Sequence, residues 1–157
     1  MTTDLRLVPN RPPDVAALGA MLSDPTDLRL VWPDARVPFD ARQWRARLTA
    51  HPGHASFWVQ LDGARVGHAA LLATDEPGVL AASYIYLTPA VRGLGLAARI
   101  MEALDHEARA RGAAAMRLRV RSYNPRAMAV YGRAGYVPAE RDGTLIIMRK
   151  PLAPQDR

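Results

Sequence analysis

The sequence predicts one α/β domain built on a mixed, mostly antiparallel sheet flanked by helices. Three observations predict it. Asp62-Gly63 separates two strand-like runs, SFWVQL and ARVGHAALL, which is a hairpin signal. Asp142-Gly143 does the same between YVPAER and TLIIMR. Between these hairpins, VLAASYIYL, a helical stretch from Leu94 to Arg111 and AAMRLRV follow as strand, helix and strand. A strand–helix–strand crossover alongside hairpins makes a mixed sheet. The 157 residues fit a single domain over 1–157 that needs no disulfide or metal staple.

Each element has a local reason. Leu5 to Val8 reads as a short strand, closed by Pro12-Pro13. Asp14 is placed to cap a helix over Val15, Leu18 and Leu22, because its carboxylate can accept an orphan first-turn N–H. The stretch from Pro25 to Pro38 reads as irregular, since Trp32-Pro33 and Pro38-Phe39 favour extended backbone. Asp40 caps a second helix through Trp44 and Leu48, ended by His51-Pro52-Gly53. The later helix carries Leu94, Ala98, Met101, Leu104 and Ala108 at helical spacing, with Gly112 as its stop. Asn124-Pro125 opens a short helix that puts Ala127, Val130, Tyr131 and Ala134 on one side, and Gly135 ends it.

Composition excludes several functions. There is no cysteine, hence no disulfide, thiolate metal site or cysteine nucleophile. That fits a cytoplasmic protein. No apolar run approaches a membrane span, and the N-terminus lacks a signal-peptide pattern. The net charge is +6, carried almost wholly by arginine. Two readings stand: an anionic partner such as nucleic acid or a phosphorylated cofactor, or Arg-rich composition spread over the surface. No block of five like charges occurs. The densest cluster, Arg117, Arg119 and Arg121, alternates with Leu118 and Val120, as a strand with one polar face does. Nucleic acid and membrane are therefore not expected as partners.

The sharpest chemical feature is the turn Arg92-Gly93-Leu94-Gly95-Leu96-Ala97 between a strand end and a helix. Glycines there let backbone N–H groups converge, and a helix start adds unpaired N–H groups and partial positive charge. Such a turn can hold a phosphate, or can be only a turn. It is neither a Walker A loop, since no Gly-Lys-Ser/Thr follows, nor a dinucleotide fingerprint, since hairpins precede it. Other constellations are weak. His51 and His54 lack further metal ligands, His106-Glu107 lacks the second histidine of a zinc-protease motif, and no metal is expected.

The segment YIYLTPAVRGLGLAARIMEAL resembles the acetyl-CoA-binding motif of the GNAT superfamily of N-acetyltransferases, Gln/Arg-x-x-Gly-x-Gly/Ala, through Arg92, Gly95 and Ala97. A second stretch, from Asn124 through Ala127 and Tyr131 to Gly135-Tyr136, is similar to the family's Asn-x-x-Ala-x-x-x-Tyr-x-x-x-Gly-Phe/Tyr. The two lie in the family's order, about thirty residues apart. The resemblance spans roughly residues 55 to 150. It implies an acetyl-CoA-binding core over 79–135 and acceptor-side helices over 1–55.

The resemblance also implies roles. The strand ending at Leu87 splays from AAMRLRV into a V-shaped slot. Acetyl-CoA enters as co-substrate, with its pantetheine arm against the backbone of Tyr86 and Leu87 and its pyrophosphate on Arg92, Gly93, Leu94, Gly95, Leu96 and Ala97. The Leu87 N–H faces the thioester oxygen, and Asn124 contacts the pantetheine or simply caps its helix. Tyr131 protonates the departing thiolate, or is only a buried aromatic. Where some relatives carry a basic glutamate, this chain has Arg119, which cannot act as a base. Tyr84, Ser83 or His68 would then hold a water, although His68 also reads as a satisfied core histidine. Trp32, Phe39 and Trp44 are core, or line the acceptor pocket.

The expected activity is transfer of an acetyl group from acetyl-CoA to a primary amine, by direct attack in a ternary complex. The acceptor is a small-molecule or peptide amine. The alternative is a non-catalytic acyl-CoA-binding or sensing domain. A homodimer stays open.

Overall fold

The computed structural model describes residues 3–153; Met1, Thr2 and residues 154–157 lie outside the described part. The chain opens with strand β1 (Leu5–Pro9) and then three short helices, α1 (Val15–Met21), α2 (Pro25–Val31) and α3 (Ala41–Leu48). The hairpin β2 (Ala55–Leu61) and β3 (Ala64–Ala73) turns at Asp62-Gly63. Strand β4 (Val79–Leu87), a 3₁₀ turn at Pro89–Val91, helix α4 (Leu96–Ala110) and strand β5 (Ala115–Arg121) form the crossover. Helix α5 (Pro125–Arg133) and the hairpin β6 (Val137–Asp142) and β7 (Leu145–Pro151) complete the fold.

One expectation fails. Pro25 to Pro38 is not irregular throughout, because Pro25–Val31 is helical. Proline at the first helical position loses nothing, as its missing N–H would be unpaired there. The Asp24 carboxylate caps the turn by accepting from Asp27 N at 3.0 Å. Extended backbone resumes at Trp32, just before Pro33. A smaller difference concerns α4, which starts at Leu96 rather than Leu94. Gly93 and Gly95 hold φ of 79° and 75°, outside the helical region.

The seven strands form one sheet in the order β1-β2-β3-β4-β5-β7-β6. Only β4 and β5 are parallel. Their pairing runs through Val79–Ala115, Leu80–Met116 and Ala81–Arg117 and then stops. Both strands continue, so the sheet opens into a V at its centre.

The sheet separates two cores. On one face α4 buries Leu96, Ile100, Met101, Leu104 and Ala108, the inner four packing on Phe57, Leu71, Met116, Leu118, Val120 and Tyr136. On the other, α1, α2 and α3 bury Leu18, Leu28, Trp44 and Leu48 against Trp58, Leu72, Tyr84 and Tyr86. Burying a large apolar side chain stabilises by about 1.5–3 kcal/mol, so both layers are held firmly. Alternation along β5 then decides its other side chains. Met116, Leu118 and Val120 join the α4 core. Arg117, Arg119 and Arg121 point to the face that carries the three N-terminal helices.

Candidate active site

A bulge shapes the V. His68 pairs with Tyr86 and Ala70 with Ser83, so Tyr84 and Ile85 together face Ala69. An extra residue on one strand bends it and increases its twist, which carries the end of β4 away from β5. Tyr84 takes φ of 51°, a left-handed conformation that disfavours any side chain with a Cβ. The bulge is secured from beneath. His68 is fully buried, and its Nδ1 donates to the Tyr84 carbonyl at 2.9 Å. Since a carbonyl only accepts, Nε2 is the unprotonated nitrogen and accepts from Ser56 Oγ at 2.6 Å. Asn10 Nδ2 in turn donates to Ser56 Oγ at 3.2 Å. Burial lowers the His68 pKa to about 4. The histidine is a neutral strut of the core rather than a residue of the slot.

Gly67 makes a second adjustment. A Cβ there would lie 2.1 Å from the Tyr86 carbonyl oxygen. Only glycine lets β3 approach β4 this closely beside the bulge.

The V opens into a cleft of about 550 Å³. Ala81 to Ile85 of β4 and Arg117 to Arg121 of β5 form its walls, α2 and the residues after it one rim, and α5 the other. Tyr131 and Asn124 line it. Tyr131 stands edge-on to Tyr136, with ring centres 6.3 Å apart. Its hydroxyl has no partner among the described residues, and burial raises its pKa above the ordinary phenol value. Asn124 caps α5 by accepting from Ala127 N at 3.2 Å while bordering the cleft.

The aromatic residues before the sheet divide between two roles. Trp44 is wholly buried and contacts Trp32, Phe39 and Tyr84 with ring centres 4.9, 5.5 and 5.1 Å away. Trp32 lines the cleft. Tyr84 accepts from Arg47 Nε at 2.7 Å through its hydroxyl. Burial raises the Tyr84 pKa, and the Arg47 and Arg119 cations oppose that rise. Ser83 borders the same cleft.

At the mouth, the Arg92 side chain is bonded within the protein. Its Nε donates to the Leu87 carbonyl at 2.9 Å and its Nη2 to Asp27 Oδ2 at 3.1 Å. Tyr86 donates its hydroxyl to the same Asp27 oxygen at 3.1 Å. The Arg92 side chain thus ties the end of β4 to α2, while its backbone enters the glycine turn. Gly93, Leu94 and Gly95 are exposed there, and no atom lies within 4 Å of a Cβ built on either glycine. Leu96 is buried under the helix start and Ala97 is half-buried. Helices α1, α2, α3 and α5 are each capped by a side chain, from Asp14, Asp24, Asp40 and Asn124. Helix α4 has none, so its first N–H groups lack a side-chain acceptor at the dipole's positive end.

Sequence reasoning missed Asp27, Arg29 and Arg47. Asp27 and Arg29 lie on the helix that was not foreseen. Arg47 had a signal: Trp44, Arg47 and Leu48 fall at helical spacing, which sets Arg47 at the edge of an apolar face. The remaining motifs are structural. His51 Nδ1 accepts from Gly53 N at 2.8 Å and His54 Nδ1 from Ala73 N at 3.0 Å. No group of metal-binding side chains occurs among the described residues. None of their helices is long and apolar enough to cross a membrane.

Comparison with known proteins bears on this arrangement. No curated protein matches the sequence. The aminoglycoside acetyltransferase AAC(6')-Ib with coenzyme A and kanamycin shares the fold at a TM-score of 0.75 and 19% identity, over 96% of this chain and 95% of that one. The GNAT domain of PAT from S. lividans has a TM-score of 0.76 at 16% identity, covering 97% and 92%. An acetyltransferase from Thermus thermophilus has 0.77 at 23%, covering 94% and 97%. The profile of the acetyltransferase (GNAT) family matches residues 20–136, from the end of α1 to the tyrosine behind Tyr131. The chain belongs to the acetyltransferase (GNAT) family.

Proposed function

We infer that this protein transfers an acetyl group from acetyl-CoA to a primary amine by direct attack in a ternary complex. The observation that carries the reading is the splay of β4 from β5 beyond Ala81, with Tyr131 beside the gap. The edge of β4 left unpaired by β5 beyond Ala81 suits a pantetheine arm as an added strand does, along Tyr86 and Leu87. The uncapped start of α4 suits the pyrophosphate, with Gly93 to Ala97 supplying N–H donors. AAC(6')-Ib holds coenzyme A and an amine acceptor together, which supports a ternary complex in this relative of its fold.

In the proposed step the amine nitrogen bonds to the thioester carbonyl carbon. The carbonyl oxygen gains negative charge, and the Leu87 N–H is assigned to hold it. The C–S bond then breaks, the oxygen returns to a carbonyl, and the amine proton leaves to water. Sulfur departs as thiolate and takes the Tyr131 proton, which the phenolate recovers from water. A raised pKa keeps that proton on Tyr131 at neutral pH. No carboxylate among the cleft walls stands at Arg119's position to act as base. Arginines around the cleft offer another route, since nearby cations disfavour an ammonium and lower the amine's pKa.

Mixing the protein with acetyl-CoA and a panel of amines, with release of free thiol as readout, tests this. Amine-dependent release is expected. Acetyl-CoA binding without turnover on any amine would favour the acyl-CoA-binding alternative.

A further inference from the structure

The charge on the cleft wall selects the acceptor. Five arginines border the cleft, Arg29, Arg47, Arg117, Arg119 and Arg121, against one acid, Asp34. Arg117 is neutralised by Asp75 at 3.0 Å and Glu76 at 3.1 Å. Arg29, Arg47, Arg119 and Arg121 have no ion-pair partner among the described residues. Arg47 comes from α3 and Arg119 from β5, and both line the cleft with Tyr84, whose hydroxyl accepts from Arg47 Nε at 2.7 Å.

These cations are not placed for the phosphates of acetyl-CoA. Arg119 and Arg121 alternate with Leu118 and Val120, which pack in the α4 core. Their side chains therefore leave the sheet on the face of α1, α2 and α3, opposite the α4 start that suits the pyrophosphate. A guanidinium presents a planar fork of donors that matches a carboxylate or phosphonate. A polycationic acceptor would meet mostly like charge in the same space, with Asp34 the one acid on the wall. The kanamycin bound by AAC(6')-Ib is therefore a poor guide to this chain's acceptor.

We propose that the cleft holds a small amine that also carries an oxyanion, of the amino-acid or aminophosphonate class, with Arg47 and Arg119 gripping the anionic group beside Tyr84. Arg29 and Arg121 add to the attractive field at the rim. The proposal rests on the acetyl-transfer reading above.

The test is a charge-matched acceptor panel with acetyl-CoA, read by thiol release: the common L-amino acids, the α-carboxamides of those that react, 2-aminoethylphosphonate, spermidine and kanamycin. The carboxamide's amine is the less basic, so chemistry alone favours it. An anionic acceptor is expected to exceed its amide and both polycations in kcat/KM by tenfold or more. That ratio should fall below about threefold in Arg47→Met and in Arg119→Met, and should shrink in 0.5 M salt, as screening requires. The phosphonate arm separates carboxylate from phosphonate recognition. Amides or polycations reacting as well as the acids would overturn the anionic acceptor while leaving acetyl transfer intact. Should no amine react, acetyl transfer fails, and calorimetry with N-acetyl-L-amino acids and CoA decides the subsite separately. Binding that Arg119→Met abolishes would support it; absence of binding would overturn it.

Discussion

The His68 imidazole donates to the carbonyl oxygen of Tyr84 at 2.9 Å, a bond between a fully buried side chain and the one residue of β4 with positive φ. It links the interior of the sheet to the bend that opens the cleft. Strained backbone persists where its surroundings over-determine it. Here the determinants run from Asn10 through Ser56 to His68.

That relationship makes stability depend on pH. The His68 pKa lies at about 4 in the folded protein and near 6.5 in the unfolded chain. Between these values the unfolded state binds a proton that the folded state does not. Stability is therefore full above pH 6.5 and falls as the pH drops toward 4. From pH 7 to pH 5 the loss due to His68 should be about 2 kcal/mol. Urea unfolding at both pH values checks it. His68→Gln should start less stable and show a correspondingly shallower loss, and an equal loss in both proteins would rule out His68 as the source.

Gly67 should tolerate no side chain. A Cβ 2.1 Å from the Tyr86 oxygen forces β3 and β4 apart, and overpacking of this kind costs typically about 1–3 kcal/mol. The contact is with backbone, so Gly67→Ala should lie at the upper end. Coenzyme A affinity should fall with it, because the same strand end is the one assigned to the pantetheine arm. A denaturation midpoint indistinguishable from wild type would contradict this account.

At the α4 start, strain and charge can be separated. Gly95 has φ of 75° with open space around it. Gly95→Ala should therefore cost about 1 kcal/mol in stability with modest loss of coenzyme A binding. Gly95→Asp adds a negative charge where the pyrophosphate is assigned, and should weaken binding tenfold or more while the fold survives. Isothermal titration of both variants gives the answer. Equal affinities for alanine and aspartate would remove the phosphate from this turn.

Tyr131→Phe deletes one hydroxyl and leaves packing on Tyr136 nearly unchanged. General-acid catalysis contributes about 10²- to 10⁴-fold, so kcat should drop within that range with little change in acetyl-CoA affinity. Because burial raises the phenol's pKa above its ordinary range, the wild type should lose rate only in strongly alkaline solution, and the variant should lack that limb. A variant within threefold of wild type, where chemistry limits the rate, would end the general-acid role.

Much of this protein is determined locally. Asp14, Asp40 and Asn124 cap the helices they precede, Asp62-Gly63 and Asp142-Gly143 turn their hairpins, and the glycine turn enters α4, all from interactions within a few residues. The family's motifs are likewise contiguous, so Tyr131, Asn124 and the Arg92–Ala97 turn were legible as a group. Even the arginine face of β5 follows from simple alternation. Tertiary structure decided the rest, because those features depend on partners distant in sequence. His68 and Tyr84 are sixteen residues apart, and only sheet register shows that one holds the other's bulge. Arg92 turns to Asp27 across sixty-five residues because α2 packs at the end of β4. Arg47 and Arg119 face one cleft because α3 covers the side of the sheet to which the odd residues of β5 point. No local pattern encodes that meeting, since it arises from which face of the sheet each helix buries.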